Sequence, residues 1–167
     1  LTVSWFFVFQ LRGDTVRIAV IDGQGGGIGR YVIDQIRKAL PVDLEIIALG
    51  TNAIATSLML KAGANEGASG ENAIAINVED VDVIIGPLGI VLAHSMSGEL
   101  TPKMAEVVAK SRAQKLLLPL TLSKVEVVGV EADPLPHLVE KLINRLKELM
   151  GVDRECVKPV PIYAKAK

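Results

Sequence analysis

Arg17-Ile18-Ala19-Val20-Ile21-Asp22-Gly23-Gln24-Gly25-Gly26-Gly27-Ile28-Gly29-Arg30 is the stretch that decides the fold. Ile18 to Ile21 is apolar on both faces, which a central parallel strand requires when helices cover both sides of its sheet. Five of the seven residues from Gly23 to Gly29 are glycine, so the backbone turns sharply there and leaves its peptide N–H groups open to a ligand. Ile28, Val32, Ile36 and Leu40, with Ile33 beside them, then mark one face of a helix. The N–H groups and dipole at the start of such a helix favour phosphate. The stretch therefore predicts a strand, a glycine turn and a helix, with a candidate anion site between them.

The bulk composition suits that reading. A chain of 167 residues is long enough to close one core, and half of it is hydrophobic with only 4% aromatic. Ile, Val, Leu and Ala then build the interior, as in a parallel sheet flanked by helices. A net charge of -1 argues against a general nucleic-acid binder, which shows a basic surface. The single cysteine, Cys156, has no partner for an internal disulfide or a Cys-based zinc site, so a cytoplasmic location is expected. Residues 1–15 form an odd extension. Trp5-Phe6-Phe7-Val8-Phe9 is apolar but too short to span a membrane, and it lacks the flanks of a secretory signal. An alternative start at Val16 is one expectation for it; an extra strand or an oligomer contact is the other.

Along the chain, strands are expected at Val16 to Ile21, Leu44 to Leu49, Ala73 to Ile76, Val81 to Ile85, Lys115 to Leu118 and Val125 to Val128. The first helix runs from Gly27 to Leu40, with Pro41 closing it. Thr51 or Asn52 caps a second, with Ile54, Leu58 and Ala62 on its inner face, ending at Gly63. Ala64 to Glu71 reads as a surface loop. Leu88 to Leu100 carries an apolar helical pattern punctuated by Gly89 and Gly98. Thr101-Pro102 opens a helix with Met104, Val107 and Val108 inward. Asp133-Pro134 opens the last, where Leu138, Leu142, Leu146 and Leu149 line up before Gly151. Residues 151–167 read as a loose tail. The order is that of an α/β, Rossmann-like three-layer sandwich with a mostly parallel sheet, built as a single domain over residues 16–150.

The dinucleotide signature wants glycine at its first, third and sixth positions, and counting from Gly23 the sixth is Ile28. The spacing Gly23-x-x-x-Gly27-Ile28-Gly29 instead resembles the Gly-x-x-x-Gly-Ile-Gly loop of short-chain dehydrogenases and reductases. That resemblance covers the loop and its two flanking elements and implies NAD or NADP as cofactor. Two departures separate this chain from that family. Asp22 stands where the family has Thr; a carboxylate there repels a pyrophosphate unless it points away, holds a ribose hydroxyl or bonds the N–H groups of its own loop. The family's Tyr-x-x-x-Lys pair is also missing: Tyr31 is followed by Gln35, and Tyr163 meets Lys167 only in the tail. A strand-to-helix turn needs glycine for its own geometry too, so a purely structural loop is the competing reading.

At the end of the second strand, where an acid would hold the ribose of NAD, Leu49-Gly50-Thr51-Asn52 has none. Thr51 and Asn52 could bond a ribose or a 2′-phosphate, which leans towards NADP, or could simply cap the helix. Gly86, Pro87 and Gly89 end the strand expected beside the first, and face the same crevice. His94 with Glu99 or Glu71 could do acid–base work if the crevice joins them, although a lone histidine is more often structural. His94 and His137, without nearby cysteine, make no metal site. There is no P-loop, since Gly29 is followed by Arg30, and no Gly-x-Ser-x-Gly turn.

Four blocks together, Arg17 to Gly29, Ala48-Leu-Gly-Thr-Asn-Ala-Ile-Ala-Thr56, Lys61-Ala-Gly-Ala-Asn65 and Gly86-Pro-Leu-Gly-Ile-Val-Leu-Ala93, resemble a small bacterial family known only as a domain of unknown function. The resemblance runs from Val16 to Leu149 and implies one stand-alone Rossmann-like domain with no assigned activity. Members begin at the first strand, in keeping with a start at Val16, and many carry Asn in place of His94. The expected function is nucleotide binding, with NAD or NADP held by Asp22, Gly23, Gln24, Gly25, Gly26, Gly27, Ile28, Gly29, Thr51, Asn52, Gly86, Pro87 and Gly89. The alternative is a ligand-sensing or partner-binding subunit that holds a phosphorylated metabolite without catalysis of its own. No membrane contact and no metal are expected, and a second copy of the chain could complete the site.

Overall fold

The structure, a computed structural model, describes residues 15–40, 43–120 and 124–151. The expectations placed on the first fourteen residues, on Pro41, on Cys156 and on the chain after Gly151 lie outside these.

Five strands form one sheet in the order β3-β2-β1-β4-β5, and every pairing is parallel. They are β1 Arg17–Asp22, β2 Glu45–Gly50, β3 Glu66–Ser69, β4 Val83–Pro87 and β5 Gln114–Leu118. The helices are α1 Gly27–Ala39, α2 Ala53–Lys61, α3 Glu71–Asn77, α4 Pro102–Lys110 and α5 Leu135–Met150. The chain steps outward from β1 through β2 to β3, then returns to β4 on its other side, as in a Rossmann half. Asp22 pairs with Gly50 at the ends of β1 and β2, so the β1–α1 and β2–α2 turns lie side by side.

Alternate residues of β1 serve opposite cores, as the pleat demands. Ile18 and Val20 pack with Val32, Ile33 and Ile36 of α1, Met59 of α2, and Leu138, Leu142 and Leu146 of α5. Ala19 and Ile21 pack with Ile74 of α3, Ile90, Leu100, and Met104 and Val108 of α4. Helices thus cover both faces and make three layers.

Several expectations are corrected. Glu66 to Ser69, read as loop, is the edge strand β3. It is exposed, and its pairing to β2 rests on backbone and on Asn65, whose N–H donates to Ile46 O (2.8 Å) while its Oδ1 accepts from Ile46 N–H (2.8 Å). Ala73 to Ile76, read as strand, lies in α3; its alternation is coincidental, for the helix buries Ile74 and leaves Ile76 in solvent. The buried residues of α2 are Ala55, Thr56 and Met59; of the expected Ile54, Leu58 and Ala62, Ala62 packs against the core from just past the helix end, while Ile54 is 67% exposed. Leu88 to Leu100 holds two 3-10 turns, Leu88–Val91 and Met96–Gly98, in place of one helix.

Val125 to Val128 is not a strand of the sheet. A turn closes Val127 to Val130 (Val130 N to Val127 O, 3.2 Å), and Val128 is 93% exposed. Replacing Val128 by Thr is therefore expected to change stability by less than about 0.5 kcal/mol, the usual effect at a surface site. A loss of several times that in urea unfolding would mean that this segment packs after all.

Candidate functional site

β1 ends in the buried Asp22, whose carboxylate turns back onto the loop that follows. Oδ1 accepts from Gly23 N–H (2.8 Å) and Oδ2 from Gly29 N–H (2.7 Å). Gly29 is the third residue of α1, and Gly26, the residue before that helix, offers no side chain to cap it. Asp22 therefore satisfies helix N-terminal donors from the neighbouring strand, a task ordinarily done by a Ser, Thr or Asn beside the helix. Burial pushes its pKa up, the bonds from Gly29, Gly23 and Ile28 pull it down, and nearby Glu99 pushes it up again; the sum is a raised value. With both oxygens engaged inside the protein, Asp22 stiffens the turn.

The loop itself is a tight turn, with Gly26 N–H donating to Gly23 O (2.9 Å). Gln24 and Gly26 have positive φ, 51° and 66°. The five glycines do different work. A Cβ on Gly23 would sit 2.4 Å from Thr51 Oγ1, one on Gly26 would sit 2.6 Å from Ala55 Cα, and one on Gly29 would sit 2.4 Å from Met59 Sδ. A Cβ on Gly25 or Gly27 would meet nothing within 4 Å, and neither residue has a positive φ. Among the described residues, no acceptor takes the N–H of Gly25 or Gly27. A groove of about 560 Å³ opens beside Gly27, lined by Arg30, Tyr31, Asp34, Leu58 and Lys61.

Thr51 and Asn52 stand against this loop, as the adjoining strand ends require. Thr51 N–H donates to Asp22 O (3.0 Å). Asn52 caps α2 through Oδ1, accepting from Ala55 N–H (2.9 Å), and its Nδ2 donates to Gln24 O (3.0 Å). What joins them is a residue whose part in the loop the sequence reading missed. Glu99 Oε2 accepts from Gln24 N–H (2.8 Å), Thr51 Oγ1 (2.6 Å) and Asn52 Nδ2 (2.8 Å). The Thr51 bond, then the Gln24 bond, with a smaller part from Asn52, hold its pKa below the ordinary glutamate value. Its only trace in the sequence is a lone acid in the apolar connection after β4, on the side of the sheet where ligands lie in such folds.

Glu99 is delivered by a contorted segment. His94, Met96, Ser97 and Gly98 all have positive φ, and the Ser95 hydroxyl donates to Gly89 O (2.6 Å). Such a run of left-handed residues persists only where surrounding contacts hold it. Gly86, Pro87 and Gly89 lie at the expected end of β4 but are buried; Gly86 is glycine because a Cβ would come 2.5 Å from Ile21 O. His94 is not joined to the expected acids. Glu71 accepts from the Thr101 hydroxyl and Glu99 from the loop, and no hydrogen bond among the described residues links either to His94. His137 meets Asp133 (3.1 Å) on the exposed side of α5. No cluster of three His, Cys, Asp or Glu suited to a metal occurs among the described residues. No helix among them is long and apolar enough to cross a membrane.

Residues 17–151 match the family described as a domain of unknown function (DUF3842). The chain belongs to that family. No curated protein matches this DUF3842 member. Among solved structures it is similar to the dodecameric FMN-dependent UbiX-like decarboxylase of Escherichia coli O157:H7, at 14% identity and a TM-score of 0.44, over 86% of this chain and 99% of that one.

Proposed function

We propose that this chain is a nucleotide-binding protein whose ligand is NAD or NADP, with the phosphates seated on the N–H groups of Gly25 and Gly27 at the start of α1. One observation carries the reading. Gly23, Gly26 and Gly29 are explained by packing or by φ, whereas Gly25 and Gly27 are required by neither. What a missing Cβ does at those two positions is keep unpartnered N–H groups bare, and bare N–H groups at a helix N-terminus suit an anion. Arg30 and Lys61 line the groove beside Gly27 and outnumber its one carboxylate, Asp34.

A second reading, a sensing or partner-binding subunit that holds a phosphorylated metabolite without chemistry of its own, is favoured by a different fact. The two carboxylates at the loop hold it in shape, Asp22 through both oxygens and Glu99 through Oε2.

The test is thermal unfolding against NAD, NADP, their reduced forms, FMN, ATP and sugar phosphates. A ligand present at a hundred times its Kd stabilises the folded state by about 2.7 kcal/mol, which raises Tm by roughly 5–10 °C for a domain of this size. A shift with NAD or NADP is the expected result. A shift with sugar phosphates alone would select the second reading, and a flat panel at millimolar ligand would overturn both.

A further inference from the structure

The three donors that meet Glu99 all meet the same oxygen. Gln24 N–H, the Thr51 hydroxyl and the Asn52 amide converge on Oε2, and no hydrogen bond among the described residues reaches Oε1. A carboxylate held from three directions by one oxygen is oriented, and its second oxygen is an acceptor with fixed aim. The residue as a whole is only partly buried.

Its position gives the acceptor a purpose. Thr51 and Asn52 follow the end of β2, and Gln24 is the second residue of the glycine loop. In a parallel α/β sheet with phosphate on the first helix, the ribose lies over the end of the second strand, where an acid takes its hydroxyls. This chain has no acid in Leu49 to Asn52. The fold brings one in from the connection between β4 and α4, and Thr51 and Asn52 spend their donors on holding it. Those two side chains therefore do not form the polar cradle that a 2′-phosphate would need.

We propose, resting on the nucleotide reading above, that Glu99 reads the ligand's ribose, its Oε1 accepting the ribose hydroxyls, so that the site takes a nucleotide with an unmodified ribose and rejects one carrying a 2′-phosphate. This reverses the lean towards NADP that the sequence suggested. A neutral diol gains a charge-assisted hydrogen bond from Oε1, while a 2′-phosphate meets an anion at the same place. Asp22 cannot substitute, since it is buried and both its oxygens are occupied.

The experiment is calorimetric titration of the full chain, wild type, Glu99→Gln and Glu99→Ala, with NAD and with NADP. Wild type is expected to bind NAD at least about tenfold more tightly than NADP, the scale of one hydrogen bond to a charged group. Glu99→Gln, which turns an amide N–H2 towards the ligand in place of Oε1, is expected to erase or invert that ratio. Wild type binding NADP as tightly as NAD overturns the proposal, and this comparison needs no variant to fold. An unchanged ratio in Glu99→Gln also overturns it. So does tighter NAD binding by Glu99→Ala, which would make Glu99 a placeholder that the phosphate displaces. In each of these cases a nucleotide binds and the underlying reading stands; if neither dinucleotide binds wild type, that reading falls as well.

Discussion

Replacing Asp22 by alanine is expected to lower the stability of the fold by roughly 2–4 kcal/mol, because it strands buried N–H groups at the junction of β1 and α1. The carboxylate accepts from Gly23 and Gly29 at 2.8 and 2.7 Å, and the residue is only 3% exposed. The N-cap of α1 is Gly26, which has no side chain to cap the helix. The loss is partly offset, since removing the side chain also removes a charge whose burial is unfavourable. That offset has a pH signature. Desolvation raises the folded-state pKa of Asp22 above its ordinary 3.8, so the folded chain holds this proton more tightly than the unfolded one. Stability from Asp22 is then fully present below pH 3.8 and declines as pH rises through the raised value. The gap between wild type and Asp22→Ala in urea unfolding should accordingly narrow from about pH 4 towards neutrality. A gap that widens over that range would show the carboxylate favoured as the anion, with hydrogen bonding outweighing burial.

The same residue illustrates what a sequence reveals. Asp22 was conspicuous because it interrupts an apolar strand just before the glycines, yet its two partners follow only from the turn that brings Gly29 back over it. β1, β2 and β4 were legible because a strand covered on both faces reads as an unbroken apolar run. β3 was not: an edge strand pairs through backbone, and Glu66-Gly67-Ala68-Ser69 has little to bury. Alternation misled twice. Ala73 to Ile76 has the period of a strand inside a helix, and Val125 to Val128 has the composition of one but bends at Gly129, whose φ is 86°. Thr51 and Asn52 could be placed from their position after β2. Glu99 could not, because its bond to Gln24 spans 75 residues and depends on the positive φ of His94, Met96, Ser97 and Gly98, which no periodicity encodes.

The glycine loop supplies the sharpest division between structure and function. Gly26→Ala is expected to destabilise the chain by about 2–4 kcal/mol, since its Cβ falls 2.6 Å from Ala55 Cα and its φ of 66° is strained for alanine. Gly29→Ala should fare similarly, with its Cβ 2.4 Å from Met59 Sδ and 2.9 Å from Asp22 Cβ. The Gly25→Ala/Gly27→Ala double variant should behave in the opposite way. Neither Cβ meets an atom within 4 Å, and alanine costs less backbone entropy than glycine. Stability should be unchanged or higher by up to about 1 kcal/mol. If phosphates lie on those N–H groups, the two methyls occupy their space, and affinity for the stabilising nucleotide should fall at least tenfold, about 1.4 kcal/mol. Chemical unfolding and ligand titration on the same preparation separate the two effects. A double variant that keeps its fold and binds as tightly as wild type would place the ligand elsewhere and leave Gly25 and Gly27 without a function. One that unfolds would mean that the loop's openness serves the turn itself. A stable variant that no longer binds would tie this chain's glycine loop to its ligand through the two loop positions that neither packing nor φ reserves for glycine.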